Sequence, residues 1–306
     1  MPSFFKCCHG ITFWRGRDVD YLVLGANGMA GHMIAAYLQE QGHSVLGFAR
    51  SESPVCPTYI GDIRNQAQLE EVLSRRRFHY VVNCVGILNR AVDRNLAEGI
   101  YLNSVLPHLL AERLRDTPAK LIHISTDCVF EGTRGNYTEH DQPDAASYYG
   151  RSKALGEVID GRNLTVRTSI IGPELKTDGV GLLHWFLMQK EAVNGFDRVI
   201  WSGVTTLQLA KFISRDAERP RTGLYHLVNN QTISKYGLLC LFNRFCREEK
   251  IEIRRATEPE CDKSLRNTDT DSSDLPPGYE KMTAELAEWM RRHPELYRQY
   301  LKRGNV

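Results

Sequence analysis

The sequence predicts an α/β fold, a doubly wound parallel sheet with a smaller C-terminal lobe. Three observations predict it. From Tyr21 onward, short runs rich in Val, Ile and Leu alternate with helical stretches, the pattern of parallel strands buried on both faces. The first run leads straight into a glycine-rich turn, "GANGMAG" at 25–31. Beyond residue 172 the alternation loosens, which marks a second lobe.

The elements follow in order. "YLVLG" (21–25) precedes a helix near 29–41, then come "SVLGFA" (44–49) and "TYIGD" (58–62). A helix around 65–75 leads to "YVVNCVG" (80–86), a long helix within 94–115 and "KLIHIS" (120–125), and "LTVRTSI" (164–170) closes the series. Right-handed crossovers between such strands build a doubly wound sheet. A helix at 181–190, the run "RVIWSG", a helix near 205–215, a strand at 224–229 and a helix at 234–247 come next. Residues 258–278 read as a long loop, and helices at 281–291 and 294–302 end the chain. The expected division is an extension of unknown role at 1–20, a nucleotide-binding domain at 21–170 and a lobe at 171–306, with segments near 199–229 returning to the first domain.

Bulk properties narrow the function. The 306 residues are 42% hydrophobic with a formal charge of +2, enough for a sizeable core and without an electrostatic case for nucleic acid or an anionic membrane. No apolar run approaches the roughly 20 residues that span a bilayer. The eight cysteines form no CxxC pair and no Cys/His zinc spacing, so no metal is expected. A reducing, cytoplasmic compartment fits them.

The glycines Gly25, Gly28 and Gly31, with Asn27 and Met29 between them, sit where the first strand becomes the first helix. Glycine there permits a tight turn and close approach of backbone to a pyrophosphate, while the helix N-terminus offers N–H donors. This is the Rossmann arrangement for a dinucleotide, although the spacing is GxxGxxG rather than GxGxxG. At the end of the second strand stand Arg50 and Ser51. A guanidinium there suits a ribose 2′-phosphate, so NADPH is expected, with NADH as the alternative because Glu52 follows. Asp62 and Ile63 would lie by the adenine, and the segment Asn83 to Gly86, with Cys84, Val85 and Gly86, along the cofactor.

Among thirteen tyrosines, only Tyr149 has a lysine four residues later, Lys153. On a helix that spacing puts phenol and ammonium on one face. Thr126 ends the strand before them, and in a parallel sheet the site lies beyond the carboxyl ends of the strands. Reduction of a ketone leaves an alkoxide that must be protonated; a free phenol, with pKa about 10, needs a neighbouring ammonium to serve. Thr126 can donate to the same oxygen.

On "GANGMAG", "NCVG", "STDCVFEG", "YYGRSKALGE" and "VRTSIIG", the chain resembles the extended short-chain dehydrogenase/reductases, and most closely the dTDP-4-dehydrorhamnose reductase family. The resemblance implies a catalytic set of Thr126, Tyr149 and Lys153, with Asn103 as structural helper. It also implies reduction of the 4-keto group of a nucleotide-linked deoxysugar, for surface polysaccharide precursors, and a possible homodimer. A 4,6-dehydratase would carry Glu after Thr-Asp, where this chain has Cys128. A 4-epimerase that retains NAD fits Arg50 less well. Asp127, Cys128 and Ile170 would touch the sugar; Cys128 and Ile170 stand where the family often has Tyr and Trp, so the hexose is expected to differ. Trp185 would be an aromatic wall for it, or core. The alternative class is a non-catalytic NADP-binding subunit, which the same fold can serve.

Overall fold

The computed structural model describes residues 19–268 and 275–301. The expected extension at 1–20 lies outside them except for its last two residues, as does the end of the helix expected at 294–302. In chain order the main elements are β1 (Asp20–Leu24), α1 (Met29–Glu40), β2 (Ser44–Ala49), β3 (Thr58–Ile60), α2 (Gln66–Ser74), β4 (Tyr80–Asn83), α3 (Asn89–Arg94), α4 (Leu96–Ile100), α5 (Leu106–Leu114), β5 (Lys120–Ile124), α6 (Tyr148–Leu155) and β6 (Leu164–Arg167).

With the strand Gly223–His226, these strands form one seven-stranded sheet. From that strand the order runs β6, β5, β4, β1, β2, β3. β1 pairs in parallel with both β2 and β4, Tyr21 lying opposite Val45 and Tyr80. Strand order therefore reverses between β1 and β4, and ligands of open α/β sheets bind outside the strand ends at such a point. All four residues of β4 are buried, which is why Tyr80–Val82 read as an apolar run. Leu22, Leu24, Phe48, Leu69, Val81 and Leu121 belong to one core cluster, each such side chain stabilising the fold by about 1.5–3 kcal/mol.

The long helix expected within 94–115 spans Leu96–Leu114, as α4, a π-turn and α5 in unbroken succession. Asn95 breaks the chain at φ −143° and its side chain accepts from Glu98 N–H at 3.2 Å, starting α4 anew. Tyr101–Val105 form the π-turn, and Pro107 lies in the first turn of α5, where its missing N–H is harmless. The loop expected at 258–278 contains a short strand, Cys261–Asp262, pairing in parallel with Val199–Trp201.

The chain groups into two compact units. The first comprises residues 1–125, 147–166 and 209–225, of which those from 19 are described; it holds the large sheet. The second comprises 126–146, 167–208 and 226–306. It is built on small sheets: Val193–Phe196 beside Ile253–Ala256, and Ile233–Ser234, Val199–Trp201 and Cys261–Asp262 as a set of three. The helices Lys235–Cys246 and Tyr279–Arg292 accompany them.

Candidate active site

In the first unit, the turn after β1 is tied down by its own N–H groups, while α1 beyond it starts without a side-chain cap. Gly25 has φ +79°, a conformation that favours glycine. Gly25 N–H and Ala26 N–H both donate to Phe48 O, at 2.9 and 3.2 Å. A Cβ on Gly31 would stand 2.2 Å from Gly25 O, so α1 packs directly on the turn. Gly28 caps α1 with no side-chain bond, and the first turn holds no acid. The first N–H groups of the helix thus face outward with positive partial charge, the setting for a pyrophosphate. Buried His32, whose pKa burial lowers to about 4, contacts Gly28 O through Nδ1 at 2.9 Å and steadies the turn.

Asn27 fastens this turn to the exit of β2. Its Nδ2 donates to Ser51 O, Ser51 Oγ and Glu52 O at 3.1, 3.2 and 3.1 Å. Arg50 and Ser51 are exposed there. Met29 is the first residue of α1 and half-buried. Ile63 is buried, whereas the Asp62 carboxylate is occupied: Arg64 Nε donates to both its oxygens at 2.9 and 3.1 Å. Those bonds lower the Asp62 pKa to about 2.

After β4, Asn83 Oδ1 accepts from Val85 N–H at 3.1 Å. Asn103, on the π-turn, accepts from Ile87 N–H and donates to Ile87 O, both at 3.0 Å, and donates to Ser152 Oγ at 3.1 Å. It thereby joins the Cys84–Val85–Gly86 exit to α6. Ser147 caps α6, its Oγ accepting from Gly150 N–H at 3.1 Å. On that helix Tyr149 and Lys153 are both buried, 8% and 5% exposed. Lys153 Nζ donates to Ile124 O at 2.7 Å and lies 3.4 Å from His123 Nε2. Ser125 Oγ donates to Glu157 Oε1 at 2.7 Å. α6 and the turn that follows it are therefore each tied to the carboxyl end of β5. Burial lowers the Lys153 pKa to about 8, and the Glu157 carboxylate opposes that shift.

In the second unit, Thr126 caps the 3-10 turn Asp127–Val129. Its Oγ1 accepts from Cys128 N–H at 3.2 Å and donates to Asp127 Oδ1 at 3.0 Å. Burial, then the Asp127 carboxylate, pushes the Cys128 thiol up to about 12, so it is uncharged near neutrality. Lys235 Nζ lies over the Trp201 ring, 5.6 Å from its centroid. Its pKa is lowered by burial, with Asp127 the foremost opposing charge. Ile170 is half-buried in the strand Ile170–Ile171, paired with Val204–Thr205. Trp185 is 41% exposed, so of the two roles expected for it, core is the one the structure does not give.

Residues 19–299 match the family model described as the RmlD substrate binding domain. The chain belongs to that family. Among curated relatives, a probable low-salt glycan biosynthesis reductase of Haloferax volcanii is 37% identical over 139 residues, which are 44% of this chain and 46% of the relative. A dTDP-4-dehydrorhamnose reductase of Mycobacterium tuberculosis is 29% identical over 148 residues, 46% of this chain and 45% of the relative. The chain thus spans about half the length of the curated relatives it matches. A crystal structure of a Bacillus anthracis dTDP-4-dehydrorhamnose reductase in complex with NADP shares the fold, with TM-score 0.74 and 20% identity over 88% of this chain and 98% of that one. For this RmlD-family chain the glycine turn and Tyr149/Lys153 were legible in sequence. His123 and His32 were not, Asn83 was legible only as part of the segment along the cofactor, and Glu157 stood inside a motif without a role.

Proposed function

We propose that this RmlD-family chain is an NADPH-dependent reductase of the 4-keto group of a nucleotide-linked deoxysugar. The observation that carries the reading is Tyr149 and Lys153 buried together on α6, with Lys153 bonded to the last residue of β5. The bond to Ile124 puts Lys153 beside the carboxyl end of β5, the end at which ligands of doubly wound sheets bind. The uncapped helix N-terminus and the close Gly25–Gly31 packing fit a dinucleotide pyrophosphate. Gly25, Gly28, Gly31, Val85 and Gly86 would hold the cofactor, and exposed Arg50 and Ser51 would take a 2′-phosphate. When bound, NADPH supplies the hydride.

The chain's own residues handle the proton and the carbonyl. Tyr149 donates its phenolic proton to the alkoxide as it forms. Lys153 favours the phenolate left behind. Thr126 turns its hydroxyl from Asp127 toward the carbonyl oxygen and polarises it. Asp127, Cys128, Ile170 and Trp185 would meet the sugar. Cys128, uncharged, offers neither the acid nor the base that water elimination needs, which supports reduction over dehydration.

The first unit would hold the cofactor and the second the sugar. A homodimer is supported by Ile100, Val105 and Leu155, which remain 44%, 41% and 69% exposed on neighbouring helical segments. A cytoplasmic setting is supported by Cys56, Cys84, Cys128, Cys240, Cys246 and Cys261, all free thiols. Among the described residues no helix is long and apolar enough to cross a membrane. The test is NADPH consumption by purified protein with a panel of dTDP- and UDP-linked 4-keto-6-deoxy sugars. Turnover with one of them, abolished by Tyr149→Phe, supports the reading; tight NADPH binding with no turnover on any overturns it in favour of a binding subunit.

A further inference from the structure

Behind Lys153 lies a buried polar chain whose hydrogens are fixed in direction. Asn83 and His123 are both fully buried. Asn83 Oδ1 already accepts from Val85 N–H at 3.1 Å, which turns the amide NH₂ toward His123 Nδ1, 3.2 Å away. Nδ1 must accept that bond, so the neutral ring carries its hydrogen on Nε2. Burial first, then the charges of Lys153 and of His108 on α5, hold the His123 pKa well below its usual value and the ring neutral. The Nε2–H therefore faces Lys153 Nζ at 3.4 Å.

Two donors meeting head-on disfavour the ammonium, whereas an uncharged amine would accept the Nε2–H. The other groups around Lys153 do little to reverse this. Its firm acceptor is Ile124 O. Cys84, at the exit of β4, is itself pushed up to about 12 by burial and so carries no charge near neutrality. Glu157, beyond the end of α6, is the one carboxylate that favours the ammonium, and it already accepts from Ser125.

We propose that His123, locked by Asn83 as its Nε2–H tautomer, is a positioning residue that keeps Lys153 an exchangeable proton carrier for Tyr149 rather than a fixed cation. The inference rests on the reading of Lys153 as the partner of Tyr149. It says how that lysine is kept able to give up and regain a proton at each turnover.

The test uses the intact protein without cofactor, its lysine side chains labelled at Cε and followed by NMR through a pH titration. The Lys153 signal is identified by its loss in Lys153→Met. In His123→Gln the amide oxygen can turn toward the ammonium, and the Lys153 midpoint should rise by about one pH unit, a tenfold change in proton affinity. Asn83→Asp should act in the same direction, because a carboxylate takes the hydrogen on Nδ1 and leaves Nε2 an acceptor. Unmoved midpoints in both variants overturn the proposal. So does a nitrogen spectrum of the unmodified protein that shows the hydrogen on Nδ1, a measurement that needs no variant. With an active sugar in hand, the basic limb of kcat should move with the midpoint. If no sugar is turned over while the midpoints shift, the assigned reaction fails and the tautomer lock stands.

Discussion

Lys153 in the first unit and Lys235 in the second are both lowered in pKa by burial, yet their settings differ. Lys153 donates to a main-chain carbonyl at the end of a parallel strand and abuts a ring whose tautomer is fixed. Lys235 follows a two-residue strand and rests on the face of Trp201, with Asp127 as its foremost opposing charge. The first lysine is located by backbone that the whole sheet holds in place. The second is located by side chains on short elements, which one or two substitutions would re-aim. Fixed chemistry in one unit and adjustable recognition in the other is the division this contrast suggests.

The strongest way to break the contrast is Tyr149→Phe. It should lower kcat about 10²–10⁴-fold while leaving NADPH affinity and the melting temperature near those of the unaltered protein. Steady-state kinetics with a fluorescence titration of NADPH checks it, and a comparable loss of cofactor affinity would assign Tyr149 to structure instead.

The pH dependence of stability reads Lys153 directly. Its pKa is about 8 in the folded protein against an ordinary 10.5, so between those values the unfolded chain binds more protons. Stability therefore rises with pH across that window. Denaturant melts should show the unaltered protein gaining on Lys153→Met above about pH 8, with a constant difference below it.

Gly31→Ala should destabilise the first unit by about 1–3 kcal/mol and weaken NADPH binding, because the new methyl would meet Gly25 backbone at 2.2 Å. Gly161→Ala, with nothing within 4 Å of its Cβ, is the control and should change neither. Arg50→Ala should raise KM for NADPH about tenfold, the worth of a charge-assisted hydrogen bond, and leave that for NADH unmoved. The smallest effect is expected in the second unit. Lys235→Gln should change KM for the sugar nucleotide by a few-fold with kcat and cofactor KM preserved; a fall in kcat instead would place Lys235 with the chemistry and erase the distinction.

Sequence carried most of the first unit because its signals are local. β2 was read with its observed bounds, since a strand buried on both faces shows as an unbroken apolar run. The helix expected within 94–115 stands at Leu96–Leu114, but the π-turn inside it answers a tertiary demand. The π-turn sets Asn103 to clasp Ile87 and Ser152, and helical periodicity gives no sign of it. Of the small sheets of the second unit only the run around Val199–Trp201 shows in the sequence: Val193 pairs with Ile253, a partner sixty residues distant by chain number, and strands that short carry no pattern of their own.

By itself the sequence determined the alternating architecture, the glycine turn and the placing of Tyr149 and Lys153 on one helix, because strand burial, positive φ and i,i+4 spacing are properties of neighbouring residues. Only the tertiary structure decided that Asn83 and His123 stand behind that lysine and that Arg64 occupies Asp62. Those contacts join elements 40 residues apart in one case and hinge on a side-chain direction in the other. Hydrogen-bond direction in a buried chain depends on what each partner has already spent its donors and acceptors on, and that is fixed only when the sheet has formed.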